Sequence, residues 1–225
     1  MHTVQAPATA RTYLLLDPAR PGRMSAWRED DFTTKVVYQF RDRDGCQADI
    51  RSTIVVDVVG APIWERHTGR SCPPSREIDE SYNRSGSMGI WKRPEGQGEG
   101  DVIGKKFYTS AAGVPEERAL LVRALLASGN VLRLLPDGEA RLTLIRAIDV
   151  TARGRAQTVT GYRIGFEGVR YDPVIVWLDT RGELFAVDDN VIREDWESVV
   201  AELRRAGRQS ATTSSETQAP GRRSR

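Results

Sequence analysis

Histidine sets the chemical limits of this chain. There are two, His2 and His67, among 225 residues. A zinc hydrolase centre needs two or three imidazoles at fixed spacing. Here His2 stands in a polar start, so no second imidazole can share a metal with His67. Carboxylate-only sites favour magnesium or calcium, and Asp42, Asp44 and Gly45 resemble a fragment of a calcium loop. The further oxygen ligands and the closing Glu are missing, and the segment reads better as a hairpin turn. No Gly-x-Ser-x-Gly elbow is present. The glycines from Gly96 to Gly100 lack the Lys-Ser/Thr pair of a phosphate loop and do not lead into a helix. His67, within Glu65-Arg66-His67-Thr68, reads as a strand histidine on a polar face. No catalytic residue, metal ligand or cofactor is assigned.

The five tryptophans are Trp27, Trp64, Trp91, Trp177 and Trp196. Trp64, Trp91 and Trp177 fall in apparent strands and are the candidates to line a concave apolar pocket. Trp196 reads as core. Cys46 and Cys72 lack the spacing of a zinc site, and they read as two separate thiols unless the chain is exported.

The elements that would position these groups are mostly strands. Phe32 to Phe40 and Ala48 to Val58 alternate with period two around Asp42-Arg43-Asp44-Gly45, which predicts a hairpin. Tyr13–Leu16, Met24–Arg28, Ile63–Thr68, Ile78–Arg84 and Met88–Lys92 continue the meander. Residues 94–100 read as a loop. Pro115, Glu116 and Glu117 open a helix carrying Leu121, Val122, Leu125 and Leu126, which stops near Ser128-Gly129-Asn130. Strands resume over Arg141–Val150, Gln157–Gly165, Pro173–Asp179 and Glu183–Val187. A second helix, capped at Asn190, would bury Ile192, Trp196, Val199, Val200 and Leu203 on one face. The pattern predicts a mainly β, α+β domain over residues 11–206: a strongly curved antiparallel sheet wrapped around one helix, with a C-terminal helix. Residues 1–10 and the basic tail 207–225 are expected to be disordered.

Charge argues against nucleic acid. From Arg204 onward six arginines face one acid, whereas residues 1–203 carry a net charge of −3. No stretch is long and apolar enough to span a membrane, and no export signal is visible at the start, which points to the cytoplasm, or to the periplasm if the start is misassigned.

Beyond pattern, five segments occur in order: Pro115–Leu121, Leu134–Leu142, Val176–Asp179, Leu184–Ala186 and Val191–Glu197. With Lys106–Tyr108 and the Phe32–Val58 hairpin, they resemble the N-terminal β-rich module of large bacterial metal-dependent amidohydrolases. That resemblance implies a non-catalytic accessory module partnered with a hydrolase whose metal-binding barrel lies elsewhere. The alternative is a carrier of an apolar small molecule in the concave face of the sheet, similar to periplasmic lipoprotein carriers.

Overall fold

In the computed structural model, residues 6–72, 75–169, 171–188 and 190–216 are described. Fifteen strands form one sheet. The N-terminal meander runs through β1 (Arg11–Leu15), β2 (Gly22–Arg28), β3 (Thr33–Arg41), β4 (Gln47–Val56), β5 (Pro62–Ser71), β6 (Arg76–Ser85), β7 (Met88–Arg93) and β8 (Gly96–Asp101). The chain then makes β9 (Lys106–Tyr108) and helix α1 (Glu116–Leu126). A second meander follows: β10 (Val131–Leu135), β11 (Glu139–Ala152), β12 (Arg155–Glu167), β13 (Val174–Asp179), β14 (Leu184–Val187) and β15 (Val191–Arg193). β1 pairs with β15, so the two meanders join in the middle of the sheet, with β8 at one edge and β9 at the other. The single parallel pair, β9 with β10, is the one whose connection contains a helix, as a parallel crossover requires.

Several hairpins share one turn chemistry. Asp42, Asp57 and Asp179 each accept backbone N–H bonds from residues two and four positions on. Each is followed at the third position by a glycine with φ between +72° and +86°. The carboxylate holds the turn and the glycine supplies the left-handed conformation. Asp42 thus serves its hairpin, as the sequence predicts.

The sheet curls around α1. Leu120, Leu121, Val122, Ala124 and Leu125 are at most 1% exposed and pack with Met24, Val36, Ile50, Ile54, Leu134, Ile164 and Val176. A second core lies on the other face, where Trp177, Phe185, Ile192 and Trp196 meet Val199, Leu203 and Ala206 of the C-terminal helical segment. That segment is a 3-10 turn at Glu197–Val199 followed by α2 (Val200–Glu216). The curved sheet wrapped on one helix, with a second helix at the C-terminus, is the architecture the patterning predicts.

Three local readings need correction. Residues 94–100 are not a loop, because Gly96–Asp101 pairs along its length with β7. Gly98 is required there: a Cβ on it would stand 2.7 Å from the Trp91 ring. The expected helix from Asn190 is replaced by β15, since Val191 and Ile192 pair with both β1 and β14, and the helix begins only after Trp196. Helix α2 is assigned as far as Glu216, and residues 217–225, the rest of the expected tail, lie outside the described part. Of the polar start, Pro7 to Ala10 forms a turn, while residues 1–5, with His2, lie outside it. The two cysteines also differ from the reading as separate thiols. Cys46, just before β4, and Cys72, just after β5, form a disulfide with Cα atoms 6.0 Å apart.

Candidate functional site

Strand alternation decides where each candidate side chain goes. β5 points Glu65 and His67 into the curl and Trp64 and Arg66 outward. His67 therefore does not sit on a polar surface; it is fully buried, as are Glu65 and Glu80. Its Nε2 lies 3.0 Å from Glu65 Oε2 and its Nδ1 2.8 Å from Ser52 Oγ on β4. Glu117, in the first turn of α1, places Oε1 3.8 Å from Nδ1. Glu117 also accepts from Ser110 Oγ at 2.5 Å. Beyond them Glu80 accepts from Tyr108 Oη at 2.5 Å and from the Ala111 N–H at 2.9 Å, and Arg93 bridges Glu80, Tyr108 and the Thr109 carbonyl. One polar network therefore ties α1 and its preceding loop to β4, β5, β6 and β7.

Protonation follows from this geometry. Burial raises the Glu65 carboxyl to about 8, against the lowering effect of its hydrogen bond to His67. For His67, burial alone would lower the imidazole. The hydrogen bond to Glu65 and the charges of Glu117, Glu65 and Glu80 outweigh it and bring the group up to about 9.

Glu65, His67 and Ser52 form a carboxylate–imidazole–hydroxyl chain, the constituents of a nucleophilic triad. All three are sealed, Ser52 being 4% exposed, so no substrate reaches the hydroxyl. Glu65, His67 and Glu117 each bring a ligand atom within 4.8 Å of the others. However, the two carboxylates face opposite nitrogens of one ring, and an ion can take only one of those nitrogens. The arrangement is that of an imidazolium held between acids.

The three tryptophans are not brought together. Trp177 is 1% exposed in the core beneath α2, its ring lying over Gly161. Trp91 faces the interior, where it packs beside the stacked Tyr82 and Tyr108 rings, whose centroids are 4.4 Å apart. Trp64 is 38% exposed on the outer face. There, Trp64, Asn83, Ile90 and Glu99 form one cross-strand row over β5–β8, and Arg66, Ser81, Lys92 and Gln97 form the next. Between them runs a surface groove of about 660 Å³ to which Trp64, Ile90 and Trp91 all contribute. Asp79, at its margin, takes a hydrogen bond from Lys92 at 2.9 Å and an ion pair from Arg66. The Lys92 bond, with both cations, holds its carboxyl below the ordinary range.

No known protein family matches this sequence, and no curated protein does. Two solved structures resemble the fold. A β-barrel-like protein of the domain of unknown function DUF1849 from Brucella abortus superposes with a TM-score of 0.52 at 13% identity, over 82% of this chain and 93% of that one. A DUF1089 family protein from Pseudomonas aeruginosa covers similar shares, 82% and 92%, at 12% identity and a TM-score of 0.38. The first likeness establishes a barrel-like fold and nothing about activity. That first likeness overturns the resemblance to an amidohydrolase accessory module. The short motifs that suggested it are strand and helix segments of a barrel-like sheet: Leu134 and Leu142 line the core around α1, and Trp177 and Trp196 the core under α2. Among the described residues, no helix is long and apolar enough to cross a membrane.

Proposed function

We propose that the protein is a non-catalytic binding module for a ligand with one apolar face, held in the outer groove of β5–β8. The observation that carries this reading is the exposure of Trp64 and Ile90, 38% and 49%, in one cross-strand row of that groove. Both could have been turned inward by a one-residue change of register, and a solvent-facing aromatic beside an aliphatic side chain is a natural platform for an amphipathic small molecule. Lys92, Gln97 and Glu99 line it and can meet polar groups. The concave face, which the sequence suggested as the pocket, is filled by the apolar side of α1. The Cys46–Cys72 bridge supports an oxidising compartment as the place of work rather than the cytoplasm.

The test is titration of the isotope-labelled protein with dodecylphosphocholine monomers below the micelle concentration. Amide shifts should cluster on β5–β8 together with the Trp64 indole N–H. Trp64→Ala should weaken binding about tenfold, the effect of losing about 1.4 kcal/mol of aromatic contact. Shifts scattered over the surface, or unchanged affinity in Trp64→Ala, would remove the proposal.

A further inference from the structure

The groove makes no use of the most unusual chemistry in the molecule, the buried acids and imidazole beneath α1. A fully buried charge persists only when paired and hydrogen-bonded. The groups that face His67 come from every element packed around it. β5 supplies Glu65, β4 supplies Ser52, β6 supplies Glu80, and α1 supplies Glu117, whose other partner is Ser110. Arg93 of β7 is committed to Glu80 and Tyr108. Three acidic side chains, Glu65, Glu80 and Glu117, thus share two cations, one of which is His67. That imidazole is the cation placed between the sheet and the first turn of the helix, and Glu65 Oε1 is buried without a partner among the described residues. The segment it fastens is bounded by two glycines in left-handed conformation, Gly113 (φ +67°) before the helix and Gly129 (φ +79°) after it. Such positions let a helix swing without backbone strain.

We propose that His67 is a proton-operated latch that seats the N-terminal turn of α1 on the concave face of the sheet. When the imidazole carries both protons, Nε2–H donates to Glu65 and the positive ring attracts Glu117 across the gap. When the ring loses its proton, at a pH where Glu65 has already given up its own, Glu117 has no cation beside it, and Glu65, Glu80 and Glu117 repel one another. The helix turn is then released, uncovering the apolar lining around Ile50 and Ile54. The elevated basicity of the imidazole agrees with the engaged form at neutral pH and release toward alkaline pH. The latch shares no side chain of the groove's outer rows, so either reading can fail without the other.

The test uses the whole protein. Imidazole nitrogen shifts report the ring directly, since His2 is the only other histidine. The expected result is a doubly protonated His67 at pH 7 that titrates well above the ordinary histidine range. Amide exchange over Leu120–Leu125, corrected for the intrinsic rise with pH, should lose protection at least tenfold between pH 7 and pH 9.5. In His67→Gln and in Glu117→Gln that extra loss should vanish. If His67→Gln does not fold, the wild-type titration and Glu117→Gln decide. A ring that is neutral at pH 7, or α1 protection that does not vary with pH, would overturn the latch. So would one tightly bound equivalent of Zn²⁺ that raises the melting temperature, because the cation would then be a metal.

Discussion

Reducing the disulfide offers the most direct check on the fold. The bridge closes a loop spanning a sequence separation of 26, which includes β4, the turn held by Asp57, and β5. Chain-entropy reasoning assigns such a loop about 3.5 kcal/mol, because the cross-link removes conformations from the unfolded chain. For a domain of this size each kcal/mol moves the melting temperature by about 2–4 °C, so loss of the bridge should lower it by about 7–14 °C. The assay is thermal unfolding of the wild type with and without a phosphine reductant, beside Cys46→Ala/Cys72→Ala. Cys72 is 7% exposed, so reduction should need mild denaturant or long incubation. The double variant should melt near the reduced wild type and should ignore the reductant. Alkylation of two thiols in unreduced native protein, or a fall of less than about 2 °C after full reduction, would refute the reasoning.

Other predictions follow from burial, packing and linkage. Leu125→Ala, in the face of α1 that fills the curl, should cost about 2–5 kcal/mol in denaturant unfolding, since the residue is 0% exposed. Gly161→Ala puts a Cβ 2.7 Å from the Trp177 ring, and the displaced ring should lower stability by about 1–3 kcal/mol and alter Trp fluorescence. Stability should fall as pH rises. His67 goes from its ordinary 6.5 to about 9 on folding and Glu65 from 4.5 to about 8. Both groups are raised, so each contribution is whole below the unfolded value and is lost as pH climbs through the folded one. Stability in urea unfolding should therefore decline from about pH 4.5 upward, most steeply between the ordinary histidine value of 6.5 and pH 8 where both groups hold an excess proton, and level off above pH 9, with a slope of about 1.4 kcal/mol per pH unit for each excess proton. His67→Gln should flatten the upper part of that decline, and an unchanged slope would count against the buried network.

The β3–β4 hairpin and α1 were legible because both carry strong periodicity and unambiguous ends, Asp42 to Gly45 in one and Pro115-Glu116-Glu117 in the other. β8 was not, because Gly96, Gly98 and Gly100 carry no side chains to alternate; their strand is fixed by pairing with β7, whose Trp91 ring lies against Gly98 and Gly100. β15 was hidden because Val191 and Ile192 sit before a helix and share its apolar spacing, and only pairing with two neighbours makes them strand. His67 was misread for a related reason. Glu65-Arg66-His67-Thr68 is polar at every position, so alternation leaves no apolar mark of the buried face. The buried face shows only in the register, where Ser52 and Glu80 stand opposite His67.

Sequence by itself determined the kind of molecule. Alternation and turn residues dictate a mainly antiparallel sheet, and an apolar helix must be covered by it. Those are local properties, set by period, backbone preference and residue count. Tertiary structure decided which faces those residues meet. It separated Trp177 from Trp64 and Trp91, joined Cys46 to Cys72, and buried His67 between Glu65 and Glu117. Contacts between residues far apart in the chain depend on how the sheet curls, and the curl is a sum over fifteen strands that no single segment encodes. The scarce histidine that set the limits of the chemistry thus became, once its neighbours were known, the cation at the centre of the fold.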